Sequence, residues 1–599
     1  MDTAWRDGGH VIVCGLKGVG LRTVEQLHLS DIPVVVVDDE PDKRLAALVE
    51  SWGVPHIRQS AQLGDGLLEA GIENARAVIC VDDNEVLTLE TALRVHDLRP
   101  DVRIVVQMAN PSVGRELGRV TGVGSVLDTA RLAAPSFVEA CLGRPWHELN
   151  LGGVKFVVVE TEIKASPDQH DTLRGHFGHL VPVAVMPGDG SPMALCPGRD
   201  HPAAPGDRAA VLGTVDDLIR GGIDPDFEKS TTQGSLARVV RWRRRLQGAW
   251  ENSSKPFLLV LAGLLALLLV STVILHFSYR TAPAHGHMSL LNSLYFTVET
   301  VATVGFGDFS FAAQSPALRI FAILLIVLGV SLVSTAFALF TNILVSRRIE
   351  QSLGRGRVPG MSGHIVVIGL GAVGVSVMEE LVALGQRVVV VERDDRNRYL
   401  ARARALGVPV VIADSTQFQT HKTVNLSDAA AVAVLTSSDF TNIESGLAVR
   451  ETLGDRWVDV PVVLRVFDRN LAQMMERSFG FRHVRSTSEL AAPWFVGAAL
   501  GLDVLSTFYV DHQPFLVGRT TIAPNGGLRG LAMQDLSANT RVVAIQRADA
   551  QGQLEHPPRR GTRFAGGDEA YMLGPYDELI RVLRRDQQPA ADDPDGTPA

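Results

Sequence analysis

Residues 303–308 read Thr303-Val304-Gly305-Phe306-Gly307-Asp308, and their types and spacing suit the binding of a dehydrated cation. Gly305 and Gly307 stand two apart. Glycine reaches positive φ at little steric cost, so alternate residues can take opposite backbone hands and turn successive carbonyls toward one axis. Carbonyls of Thr303, Val304, Gly305 and Phe306 can then stand in for an ion's water shell, with the Thr303 hydroxyl as the innermost oxygen. The side chains of Val304 and Phe306 are expected to point outward and brace the loop.

A second chemistry occurs twice. The string HVIVCGLKGVG at 10–20 lies over HIVVIGLGAVG at 364–374, an offset of 354. At that offset IPVVVVDDE (32–40) lies over QRVVVVERD (386–394), and later LAAPSFVEACLG (132–143) matches LAAPWFVGAALG (490–501) with the offset grown to 358. Each copy runs strand, Gly-rich turn, helix, apolar strand, acidic residue. In that βαβ pattern the glycines let backbone approach a pyrophosphate at a helix N-terminus, and the acid holds a ribose hydroxyl. The second copy is complete, with Gly369, Gly371 and Gly374, then Glu392, and Asp414 as a further polar contact. The first copy keeps Gly15, Gly20 and Asp38, but has Lys17 in place of the middle glycine and Ser60 in place of Asp414. Two Rossmann-like α/β domains are expected.

Other elements must carry the hexapeptide. Residues 257–277 and 320–345 hold no fixed charge, and about 20 apolar residues suffice for a helix to cross a bilayer. Arg238, Arg241, Arg243, Arg244 and Arg245 precede the first run, and Arg347, Arg348, Arg355 and Arg357 follow the second; the linker between has only Arg280 and Arg319. The positive-inside rule puts both flanks in the cytoplasm and the linker outside. Residues 290–301 read as a short helix aiming its negative C-terminal end at the ion path. Gly329, in the middle of the second run, is a gating hinge or a close-packing point. His285 and His287 are assigned no metal.

Charged residues are 21% and hydrophobic residues 46% of 599, and the formal charge of −9 calls for no nucleic acid. Cys14, Cys80, Cys141 and Cys196 lack CxxC spacing and read as reduced thiols. No signal peptide is evident at the start, so the first domain is expected in the cytoplasm.

TVGFGD resembles the potassium-channel signature, with Phe where Tyr is commoner, and carbonyl cages of this kind select potassium. With Rossmann repeats added, the chain resembles ligand-gated potassium channels with RCK domains, the regulators of potassium conductance. That resemblance implies α/β Rossmann-like regulatory domains plus an all-α two-helix transmembrane pore. The expected order is an N-lobe (1–145) and C-lobe (146–225), a basic linker (226–255), and the pore domain (256–346). A linker (347–361), a second N-lobe (362–500), a second C-lobe (501–586) and a disordered tail (587–599) follow. Segments 215–237 and 351–361 read as flexible connections.

The family further implies a homotetramer in the cell (inner) membrane, its lipid bilayer crossed twice per subunit, with eight regulatory units in a gating ring. One copy precedes the pore here, which departs from the commoner arrangement. Resemblance to two-helix bacterial channels puts Glu299 beside Asp308, with Thr300 as further filter support. Two carboxyls held close cannot both ionise cheaply, so Glu299 is expected to share a proton with Asp308, or simply to brace the loop by hydrogen bonds. The expected function is potassium conduction gated by a nucleotide such as NAD(H), ATP, ADP or AMP. A constitutive leak channel with ligand-free domains is the alternative. No catalytic constellation supports an enzyme.

Overall fold

The computed structural model describes residues 8–587, apart from 40–41, 83, 123–124, 145, 165–171, 224–254, 282–285, 353–360, 468, 534–535, 538, 549–553 and 560. The basic linker, His285, Arg355, Arg357 and the tail beyond Gln587 therefore lie outside the described residues. The chain divides into two compact units, residues 1–230 with 361–599, and residues 231–360.

In the larger unit the Val-rich runs form fully buried parallel strands, as strands covered on both faces do. The first sheet runs, edge to edge, His56–Ile57, Val34–Val37, Val11–Cys14, Ala77–Cys80, Arg103–Gln107, Val126–Leu127. The second repeats it with Val410–Ile412, Val388–Glu392, Ile365–Ile368, Ala431–Val434, Val462–Val466, His483–Ser486. Each is followed by a helix, Thr129–Leu142 or Thr487–Leu500, and then by a five-stranded antiparallel sheet, which begins at Trp146–Leu151 or Asp503–Val510.

The two copies complete each other. Ala491, Phe495, Val496 and Ala499 of the second copy's crossover helix share a core with Val11, Val13, Val24 and Leu27 of the first copy's sheet layer. Reciprocally, Ala130, Ala134, Phe137 and Cys141 pack with Val367, Val377, Leu381 and Val390 of the second. Arg103 Nη1 and Arg76 Nη2 of the first copy donate to the carbonyls of Ala498 and Leu500 at 3.0 and 3.1 Å, where the cationic groups suit the helix C-terminus. The antiparallel lobes fuse through Phe156 and Val183 on one side and Phe508, Phe515 and Val543 on the other. His147 Nε2 meets Ser506 Oγ at 2.8 Å across the same seam.

The smaller unit holds helices Lys255–Ser278, Leu290–Val301 and Pro316–Ser352. The first and third contain stretches long and apolar enough to span a membrane, Pro256–Ser278 and Pro316–Asn342. Two expectations change. The second span starts at Pro316 and its helix continues to Ser352, into the expected linker. Residues 215–220 are not a flexible connection but a helix, Val215–Arg220, closed by a capping box between Thr214 and Asp217; this reciprocal pair satisfies two otherwise orphaned donors.

Phe495 is fully buried in the other copy's core, so Phe495→Ala should cost about 3–5 kcal/mol. Because that core is shared, heating with a thiol-reactive dye should expose Cys14 of the first copy and Cys141 of the exchanged helix in one transition at a lower temperature. Two transitions, with only one displaced, would sink the reciprocal exchange.

Candidate functional site

The helix Leu290–Val301 starts at Ser289, whose Oγ accepts the Asn292 N–H at 3.2 Å. At its other end the backbone turns back on itself: Thr303 N–H donates to the Thr300 carbonyl at 3.2 Å and Val304 N–H to that of Glu299 at 3.0 Å. From there positive φ recurs at every second residue: 56° at Thr303, 64° at Gly305 and 85° at Gly307. This is the alternation expected for the glycines. Thr303 joins it, which its residue type did not announce, since a β-branched residue at positive φ is strained. A Cβ on Gly305 or Gly307 would meet nothing within 4 Å. Their requirement is conformational, not steric.

Glu299 is 4% exposed, and its Oε1 accepts the Phe306 N–H. This bond anchors the middle of the 303–308 strand to the helix that precedes it. Asp308 pairs instead with the Tyr295 side chain. Within the chain Glu299 thus braces the loop through a backbone hydrogen bond. Thr300 meets the segment through its carbonyl, while its Oγ1 donates back to the Phe296 carbonyl at 2.7 Å. Sequence reasoning missed Tyr279, whose hydroxyl donates to the Ser310 carbonyl at 2.9 Å and accepts the Ser310 N–H at 3.2 Å. That tether holds the segment after the strand to the end of the first spanning helix. Within one chain Val304 and Phe306 are 51% and 72% exposed.

Gly329 lies in an unbroken helix. A Cβ there would sit 3.1 Å from a methyl of Val301. Gly329 therefore makes the close contact between the inner helix and the end of the short one.

The second chemistry sits at the carboxyl edge of each parallel sheet. In the second copy Gly369 has φ 92°, and a Cβ would come within 2.9 Å of the Thr436 backbone nitrogen. Gly374 lets the helix Ala372–Ala383 approach the strand, since a Cβ would lie 2.0 Å from the Gly369 carbonyl oxygen. Gly371 is that helix's N-cap, with ordinary φ of −78° and open space around it. The uncapped N–H groups behind it form a ready anion site. Glu392 Oε2 accepts the Leu370 N–H at 2.7 Å, which fixes the glycine turn. Asp414 Oδ1 accepts the Thr416 N–H and hydroxyl at 2.9 and 2.8 Å, and these bonds lower its pKa. Its carboxylate thus shapes its own turn.

Sequence reasoning also missed Arg465, at the carboxyl end of Val462–Val466. Its Nη1 lies 3.4 Å from the Thr436 carbonyl, and burial lowers its pKa to about 10, so it stays charged at neutral pH. A charged residue in the apolar run VVLRV was the signal for it.

The first copy has the same frame. Gly15 has φ 100° and Asp38 Oδ2 accepts the Leu16 N–H at 3.0 Å. A Cβ on Gly20 would lie 2.3 Å from the Gly15 carbonyl oxygen. Its edge differs in charge, however. Lys17 stands for Gly371, Asp39 for Arg393, Asp82 for Thr436 and Gln107 for Arg465.

A TrkA-N domain model matches residues 11–128 and again 365–487, and an ion-channel model matches residues 263–346. The chain is 23% identical over 339 residues to the calcium-gated potassium channel TvoK of Thermoplasma volcanium, covering 53% of this chain and 92% of that one. It is 25% identical over 183 residues to the voltage-gated potassium channel Kch of Escherichia coli, covering 30% and 42%. An uncharacterized protein of Methanothermus fervidus matches at 25% over 178 residues, only 27% of its own length. Among solved structures, the GsuK channel superposes over 96% of this chain and 79% of its own, with TM-score 0.48 and 15% identity. Two TrkA-N domains around one ion-channel domain make this chain a member of the RCK-domain potassium-channel family.

Proposed function

We propose that four copies of this chain surround one potassium-selective pore and that a nucleotide bound at the second TrkA-N copy gates it. The observation that carries the conduction reading is the alternation of backbone hand at Thr303, Gly305 and Gly307, held by Glu299. One strand offers oxygens on one side only; a dehydrated ion needs them all round. The exposed Val304 and Phe306 are surfaces that neighbouring copies would cover. Both termini would lie in the cytoplasm, following the basic flanks.

For gating, the second copy is favoured because its edge combines the open Gly371 helix N-terminus with the half-buried cation Arg465, while the first copy's edge carries Asp38, Asp39 and Asp82. NAD(H), ATP, ADP and AMP all carry the phosphate this edge suits. Taking a pore from 1% to 99% open needs about 5.5 kcal/mol. Four sites, each preferring the open form about tenfold, supply it.

Purified channel in liposomes should pass potassium at least tenfold faster than sodium. Gly305→Ala, which forces a Cβ onto a positive φ, should reduce that ratio. Equal potassium and sodium flux in the unaltered protein would refute the pore reading. Glu299→Ala removes the acceptor from the Phe306 N–H, a loss of about 1–3 kcal/mol, and should shorten sustained potassium current. Glu299→Gln keeps an acceptor and should largely preserve it; identical currents in all three would remove Glu299 from this role. Gly371→Asp fits the backbone and supplies a favourable N-cap, yet sets a carboxylate where phosphate would lie. It should retain the melting temperature and lose any flux response to ATP, ADP, AMP or NAD. A flux that none of these nucleotides changes in the unaltered channel would favour the constitutive leak.

A further inference from the structure

A cavity of about 320 Å³ opens where the two copies meet, with neither set of turn glycines in its wall. The first copy contributes Arg22, Gln26 and Leu29 from the helix Val19–Leu29, and Leu195 from its antiparallel lobe. The second contributes Glu489 from its crossover helix, Phe515 from its antiparallel lobe, and Tyr576, Asp577 and Glu578 from its last helix.

Charge decides what such a cavity can take. Arg22 is the cation in its wall, and it is already held by Glu25 and, at 3.4 Å, by Glu489. Asp577 and Glu578 share Arg581, at 3.5 and 3.2 Å. The wall itself thus holds three carboxylates, of Glu489, Asp577 and Glu578, against the one guanidinium of Arg22, and the residual field is negative. A nucleoside phosphate is disfavoured there. Two further groups point the same way. Gln26 is 5% exposed and Tyr576 8% exposed, and neither Gln26 Oε1 nor the Tyr576 hydroxyl has a hydrogen-bond partner. Buried polar atoms are rarely left so. Both can accept a hydrogen bond, and both residues line the cavity. Leu29, Leu195 and Phe515 supply apolar wall for a hydrocarbon body, the usual composition of a small-molecule site.

We infer that this inter-copy cavity binds a small organic ammonium ion, with its nitrogen among Glu489, Gln26 and Tyr576 and its methylene chain on Leu29, Leu195 and Phe515. Such a ligand would touch both copies at once and favour whichever relative arrangement closes the cavity. The site would be chemically separate from the phosphate-binding edge, so the two ligands would not compete.

Calorimetric titration of the purified full-length protein with putrescine tests this, using 1,4-butanediol and succinate as neutral and anionic analogues of similar length at constant ionic strength. Putrescine should bind, and each analogue at least tenfold more weakly. Glu489→Gln should weaken putrescine at least tenfold. Gln26→Leu and Tyr576→Phe, which remove an acceptor without removing charge, should each weaken it several-fold and leave the melting temperature of the free protein unchanged. Equal binding of butanediol or succinate, or no binding of putrescine at millimolar concentration, overturns the inference. Putrescine binding that survives both Gln26→Leu and Tyr576→Phe overturns it too, because the amine then sits elsewhere, the pore included. None of these readouts requires ion flux.

Discussion

The exchange of crossover helices is the constraint from which the larger of the two units follows. Neither parallel sheet can bury both faces with its own helices. Phe495 and Phe137, each fully buried, sit in the core of the opposite copy. Burying such side chains is the main favourable term in folding, so the two copies are halves of one body rather than neighbours. The seam continues into the fused antiparallel lobes, through Phe156 against Phe508 and Phe515. A duplicated domain arranged this way can change shape only by moving one half against the other across a continuous apolar surface.

The pore unit solves an opposite problem. Its critical strand has little core of its own, and its φ values at Thr303, Gly305 and Gly307 are ones that most residues avoid. What holds it is a set of local attachments at both ends and the middle. The Thr300 and Glu299 carbonyls take the first N–H groups, the Glu299 carboxylate takes that of Phe306, and Tyr279 tethers Ser310 beyond the strand. Gly329 then lets the long inner helix rest against Val301, so the short helix is clamped where the strand begins. A conformation that costs energy persists when its surroundings over-determine it.

The two TrkA-N copies share one frame and differ in electrostatics. Gly15 and Gly369 adopt nearly the same positive φ, and Asp38 and Glu392 fix the turns by the same backbone bond. In each copy the acid is therefore a structural member of its turn before it is anything else. Around that common frame Arg393 and Arg465 give way to Asp39 and Gln107. Duplication preserved the packing, which tolerates little change in a dense core. The rims, outside that core, carried no such constraint.

Much of this was written in the chain itself. Apolar run length marked the spans, glycine spacing marked the hexapeptide and the tight turns of the two sheets, and the 354-residue offset marked the duplication. These are local signals, because helix rise, glycine conformation and strand period act over a few residues. Which sheet the Phe495 helix would cover is not a local matter, since its apolar face suits either copy equally well. Nor does a single Glu, Tyr or Arg announce its partner. Glu299 to Phe306, Tyr279 to Ser310 and Arg465 to Thr436 are contacts between residues brought together only by the completed fold. Composition and periodicity determined the parts; three-dimensional packing alone decided which side chain meets which backbone atom, because hydrogen bonding depends on direction and distance that sequence spacing does not encode.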